Sequence, residues 1–160
     1  MLFQVAALFG FGLIAIQDLK ERMVHWVLFP LVALFLGMLH WQQSTPDIFA
    51  LVTLTNIFFV TFLIFTSWLY VRYIKKIKYV NHSLGLGDIL FFYALAFGFP
   101  TSIFLVLFIS ALLFSLAIHL VLGLFKKQTT IPLAGYMSLF LIVILLLSNN
   151  NDPYQPHLYP

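Results

Sequence analysis

The chain has 160 residues, 62% of them hydrophobic and 8% charged, with a mean hydropathy of +1.04 and a formal net charge of +3. That is more apolar surface than a soluble domain of this length can bury in one core, so the composition is that of an integral membrane protein. The absence of cysteine excludes disulfides, thiolate nucleophiles and cysteine-ligated metal centres, and eight Lys and Arg spread through short connections make no basic face for nucleic acid.

A helical span needs about 20 mostly apolar residues, with tilt and local thinning accommodating shorter or longer runs. The first run, residues 2–17, has no preceding Lys or Arg and no cleavage motif, so it is expected to remain as a span rather than be removed as a signal peptide. The second, 24–41, contains Pro30, expected to kink or weaken its first turns. The third, 48–71, follows Pro46 and Asp47, while the fourth, 88–97, is short and stops at Gly98 and Pro100. The fifth covers 102–125 and the sixth, opening near Pro132, covers 131–147. Residues 148–160 form a polar, proline-rich stretch expected to be a loose tail. The expected fold is all-α: one polytopic membrane domain of six transmembrane helices, with the lipid bilayer as its surroundings.

The basic residues orient these spans. Lys20 and Arg22 fall between the first two, Arg72, Lys75, Lys76 and Lys78 between the third and fourth, and Lys126 and Lys127 between the fifth and sixth. Every Lys and Arg thus lies in an odd-numbered connection, which by the positive-inside rule predicts both termini on the non-cytoplasmic side.

Five acids remain: Asp18, Glu21, Asp47, Asp88 and Asp152. Asp47 beside Pro46 fits a helix cap and Asp152 sits in the tail. Asp18 ends the first span and Asp88 opens the fourth, both at the cytoplasmic side, where two carboxylates can meet. Ionisable groups at membrane depth are costly and face the bundle interior, a partner or water. The plainer reading pairs Asp18 with Arg22 at helical spacing and gives Asp88 to a helix N-terminus. Gly85 and Gly87, just before Asp88, allow a positive φ or a close backbone approach, so they are expected to form an active-site loop; a simple helix-opening turn needs glycine too. The five histidines lack metal-ligand spacing, the serines lack a partnered base, and the many Phe residues read as packing or lipid-facing positions.

Gly85-Leu86-Gly87-Asp88, together with "QDLKERMVHW" around Asp18 and the Ile131-Pro132 step opening the sixth span, resembles the prepilin peptidase family of GxGD-type intramembrane aspartyl proteases. The resemblance covers nearly the whole chain. It implies that Asp18 and Asp88 are the catalytic pair of an aspartic-type endopeptidase in the cell membrane of a prokaryote, with the site facing the cytoplasm. Its substrate would be a prepilin or pseudopilin-like precursor of a type IV pilus or secretion system, with a basic leader and a hydrophobic helix. No metal or other cofactor is implied, and without the cysteine-rich segment of longer members no N-methyltransferase activity is expected. Two carboxyls suit this chemistry because one takes a proton from water while the other supplies one to the carbonyl oxygen or the amine.

The chain departs from the family pattern in two places: Leu90 stands where a lysine is common, and Val24-His25-Trp26 where Ile-Pro-Asn is common. They leave room for a catalytically inactive relative, or an assembly factor that binds pilin-like helices without cutting them. A small proton-coupled transporter would place its acids near mid-span in helices related by a repeat, and no repeat is visible.

Overall fold

The computed structural model describes residues 2–75, 85–125 and 132–151. They form six helices: α1 (Leu2–Glu21), α2 (Leu28–Trp41), α3 (Pro46–Tyr70), α4 (Leu86–Ala96), α5 (Thr101–Phe125) and α6 (Leu133–Asn151). A π-helical turn, Val71–Lys75, continues α3. The fold of the described residues is all-α. Lys76, Lys78, Lys126, Lys127, Asp152 and most of the expected tail lie outside them.

Three helices, α1, α3 and α5, are long and apolar enough to cross a membrane. The other three are shorter apolar helices, and α4 has only 11 residues. At about 1.5 Å per residue α4 reaches about 16 Å, roughly half of a 30 Å hydrocarbon core. On α3 the exposed side chains Leu51, Leu54, Phe58, Phe62 and Phe65 recur every three or four residues, forming an apolar face outside the bundle.

Several boundaries differ from those read in the sequence. α1 runs one turn past Gln17, which brings Asp18 inside its last turn. α2 begins at Leu28, so Pro30 lies in its first turn, where backbone N–H groups have no intrahelical acceptor anyway. Pro30 therefore helps to open the helix instead of kinking it. α4 starts two residues earlier than expected, with Gly85 as its N-cap and Asp88 in its first turn. α6 continues through Asn151.

The shortest helix has the most helix neighbours. α4 packs against α2, α3, α5 and α6, while α1 lies chiefly against α6 and α2. Phe91 meets Phe11 of α1 and Phe29 of α2 edge-on at 6.0 and 6.4 Å, and Phe92 meets Phe108 of α5 at 4.9 Å. All five rings are essentially inaccessible. Such aromatic pairs add about 0.5–1.5 kcal/mol each beyond simple burial.

A helix ending in the bundle interior leaves carbonyls without partners, and irregular backbone at membrane depth is tolerated only where protein satisfies it. Fully buried Asn56, midway along α3, does this for α4: its Nδ2 donates to Ala96 O at 3.1 Å and to Phe99 O at 2.9 Å. His40 at the end of α2 bonds Phe97 O through Nδ1 at 3.3 Å, and because a carbonyl only accepts, Nδ1 carries the hydrogen. Thr55, Thr61, Ser110 and Ser138 instead donate to carbonyls one turn back in their own helices.

α1 and α2 cross where α1 has Gly10. A Cβ there would stand 2.6 Å from Val32 Cγ2, inside any tolerable contact, and Val32 is fully buried. Gly10→Ala is expected to lower stability by about 1–3 kcal/mol through overpacking. Thermal unfolding in detergent checks this with a double-mutant cycle, in which Gly10→Ala with Val32→Ala should lose less than the two single losses added together.

Candidate active site

Asp18 and Asp88 are far apart in sequence, on helices that start and stop independently, yet both reach the first turn of α6. Gly135 N–H donates to Asp18 Oδ2 at 2.6 Å, and Ala134 N–H donates to Asp88 Oδ1 at 3.2 Å. Pro132 precedes the helix and supplies no donor, but its carbonyl accepts from Tyr136 N–H at 3.2 Å and closes the first turn. Ala134 and Gly135 are thus two of the N–H groups that a helix start leaves unsatisfied, here spent on the two carboxyls.

The electrostatics follow from three helix ends. Asp18 sits at the carbonyl end of α1, where a negative charge is unfavourable, and the amide end of α6 opposes that field directly. Arg22, also acting on Asp18, lies just beyond α1 at φ 53°; its N–H donates to Asp18 O at 3.1 Å as the chain turns out of the helix. Arg22 and the α6 amide thus both act on the Asp18 carboxyl. Asp88 occupies the amide end of α4 as well as that of α6. The charge on Asp18 acts on Asp88, so the two acids form one electrostatic unit.

Both glycines before Asp88 differ from expectation in one respect. Gly85 is extended, at φ −71° and ψ 147°, and no described glycine has a positive φ. What these positions need is space. A Cβ on Gly85 would lie 3.2 Å from Asp88 Oδ2, because the carboxyl leans back over the Gly85 backbone. Gly87 faces the Phe29 ring, with Cζ 3.4 Å from where its Cβ would be.

Asp18 is 9% exposed and Asp88 half-buried, which leaves a carboxyl pair under the surface but reachable from it. Like charges so placed favour sharing one proton, which provides an acid and a base in one site. Among the described residues no group of three or more His, Cys, Asp or Glu that could hold a metal ion comes together. Glu21 is exposed and points to solvent.

Leu90 lines an apolar groove between α2 and α4. In the α1–α2 connection, His25 N–H donates to Gln17 Oε1 at 3.0 Å, pinning the loop to α1, and Trp26 is largely exposed. Ala134 and Gly135 went unread in the sequence, although small residues after a helix-opening proline were a usable signal. Asn56 and His40 also went unread, and their signal was a polar side chain inside an apolar run. The chain matches no protein-family model, no curated protein and no solved structure.

Proposed function

We propose that this chain is a membrane aspartic endopeptidase that removes the short basic leader from type IV pilin-like precursors at the cytoplasmic face of a prokaryotic cell membrane. The observation that carries this reading is the meeting of Asp18 and Asp88 on neighbouring N–H groups of α6. Six membrane-embedded helices with both termini outside belong to the same proposal. In that topology the C-terminal end of α1 and the N-terminal ends of α4 and α6 share the cytoplasmic face, and these are the three ends that build the site.

The chemistry needs no covalent intermediate. Water attacks the scissile carbonyl carbon and loses a proton to the ionised carboxylate, while the protonated partner donates its proton to the carbonyl oxygen. The tetrahedral intermediate then collapses: the leaving amine takes a proton from the first carboxyl as the C–N bond breaks, and the new acid group returns a hydroxyl proton to the second, restoring the pair. Backbone N–H groups of α6 hold both carboxyls in place as the charge moves between them.

The test is cleavage of a pilin-like precursor of the same cell by membranes carrying the protein. Asp18→Asn and Asp88→Asn should each reduce cleavage by at least about 100-fold, the scale of a lost general acid or base. Normal cleavage by either variant, or none by the wild type, would overturn the reading. The second reading, an inactive relative that binds pilin-like helices during assembly, is favoured by Leu90 facing the groove in place of a lysine; it predicts precursor binding without cleavage.

A further inference from the structure

The apolar stripe on the outer face of α3 does not stop at Phe65. Its spacing of three or four residues carries it through half-buried Trp68 to exposed Arg72, one turn on from each other, and these three side chains touch in sequence. The Phe65 and Trp68 rings are stacked, with centroids 6.0 Å apart and planes inclined by 22°. The Arg72 guanidinium carbon lies over the Trp68 ring, 4.8 Å from its centroid. Leu51 opens the stripe and Arg72 closes it 21 positions later, about 31 Å at helical rise. That length matches a hydrocarbon core of about 30 Å. With Leu51 at one edge of the core, Arg72 stands among the headgroups at the other.

Two more features set the chemistry at that end. The π-helical turn that continues α3 keeps Val71 buried in the bundle and leaves Arg72 and Tyr73 exposed. Arg72 is also the first of four bases, followed by Lys75, Lys76 and Lys78, and residues 71–87 contain no acid. Half of the chain's eight Lys and Arg thus fall in this one connection. A basic cluster directly beside a transmembrane helix is the sequence mark of an anionic-lipid contact. Stacking occupies the flat face of the guanidinium, while its N–H groups project from the edge in a fork that fits two phosphate oxygens.

A partner here must be anionic, and it must be reachable along an apolar, membrane-facing stripe. A soluble anion meets only the first condition, and a neutral lipid only the second. We infer that the end of α3 binds an anionic phospholipid, with its phosphate on Arg72 and its acyl chains along Phe62 and Phe65. The inference depends on α3 crossing the bilayer and is independent of the peptidase reading.

The test uses the full chain carrying Trp26→Phe and Trp41→Phe, which leaves Trp68 as the sole tryptophan and a reporter of the lipid beside it. Phosphatidylcholine bilayers holding this protein receive increasing fractions of phosphatidylglycerol with brominated acyl chains, which quench an adjacent indole; brominated phosphatidylcholine is the reference. Quenching should give phosphatidylglycerol an affinity at Trp68 at least about 3-fold above that of phosphatidylcholine, the scale of one basic side chain at an anionic surface. Arg72→Gln should bring the two lipids to equal affinity. Lys20→Gln, which removes the same charge from another connection, should leave the preference intact. Native mass spectrometry of the chain with all three tryptophans gives a second reading, in which the wild type retains more phosphatidylglycerol than phosphatidylcholine and Arg72→Gln loses the excess. Equal affinities in the parent, an unchanged preference in Arg72→Gln, or an equal loss in Lys20→Gln would each overturn the inference. So would abolition of the preference by millimolar inorganic phosphate, which would mark a site for free anions.

Discussion

Gly135→Ala is expected to reduce precursor cleavage by roughly 10-fold, less than the roughly 100-fold cost of displacing a reacting group by about 1 Å. Gly135 is buried in the first turn of α6, and a methyl group there would stand 3.1 Å from both Cβ and Oδ2 of Asp18 and 3.3 Å from Leu19 Cγ. The last turn of α1 relieves this by giving a few tenths of an ångström away from α6, which lengthens the 2.6 Å bond from Gly135 N–H to Asp18 and shifts its carboxyl against Asp88. Helix propensity acts in the other direction, since alanine is about 1 kcal/mol better than glycine within a helix. The variant should therefore keep much of its stability while losing the geometry of the pair. Single-turnover cleavage by the purified variant, alongside its melting temperature, separates these effects. Activity within twofold of wild type would show that α6 does not position Asp18.

Asn56→Leu is expected to destabilise the bundle by about 1–3 kcal/mol, because the Ala96 and Phe99 carbonyls each lose a buried donor, while Asn56 Oδ1, itself buried without a partner, is removed as well. Leucine fills a similar volume but donates to neither Ala96 O nor Phe99 O. Water cannot easily replace the donors, because Asn56 is fully buried and the neighbouring end of α4 is packed among Leu95, Ala96 and Phe99. Chemical or thermal unfolding in detergent measures the loss, and a change below about 0.5 kcal/mol, within the range of ordinary surface substitutions, would refute the capping role. Since α4 also carries Asp88, the same variant should lose activity at temperatures where it remains folded.

The existence of the helices was readable in advance because an apolar run bounded by Pro, Gly and charged residues is a local signal. Pro46, the Gly98 to Pro100 stretch and Pro132 each mark a boundary within two residues of one observed. Two of the clearer errors have one origin. The sequence puts Asp18 at the end of the first span and Asp88 at the start of the fourth; α1 runs on past Asp18 and α4 begins before Asp88. Both carboxyls have hydrogen-bond donors supplied by α6, so neither has to lie outside a helix.

The candidate pair itself was legible, since two acids beside glycines and apolar runs in a chain this poor in charge are conspicuous. The meeting on α6 was not, because nothing in the order of residues says which free N–H groups a carboxyl will reach. The same holds for α4, whose 11 residues look like a weak span and prove to be the buried centre of the bundle. Helix type and limits come from interactions within a few residues, which the sequence displays directly. Placement of Asp18 and Asp88 on Ala134 and Gly135, capping of α4 by Asn56, and the groove between α2 and α4 all depend on contacts between distant segments. Those contacts are settled by how whole helices pack, so they became visible only in the assembled fold.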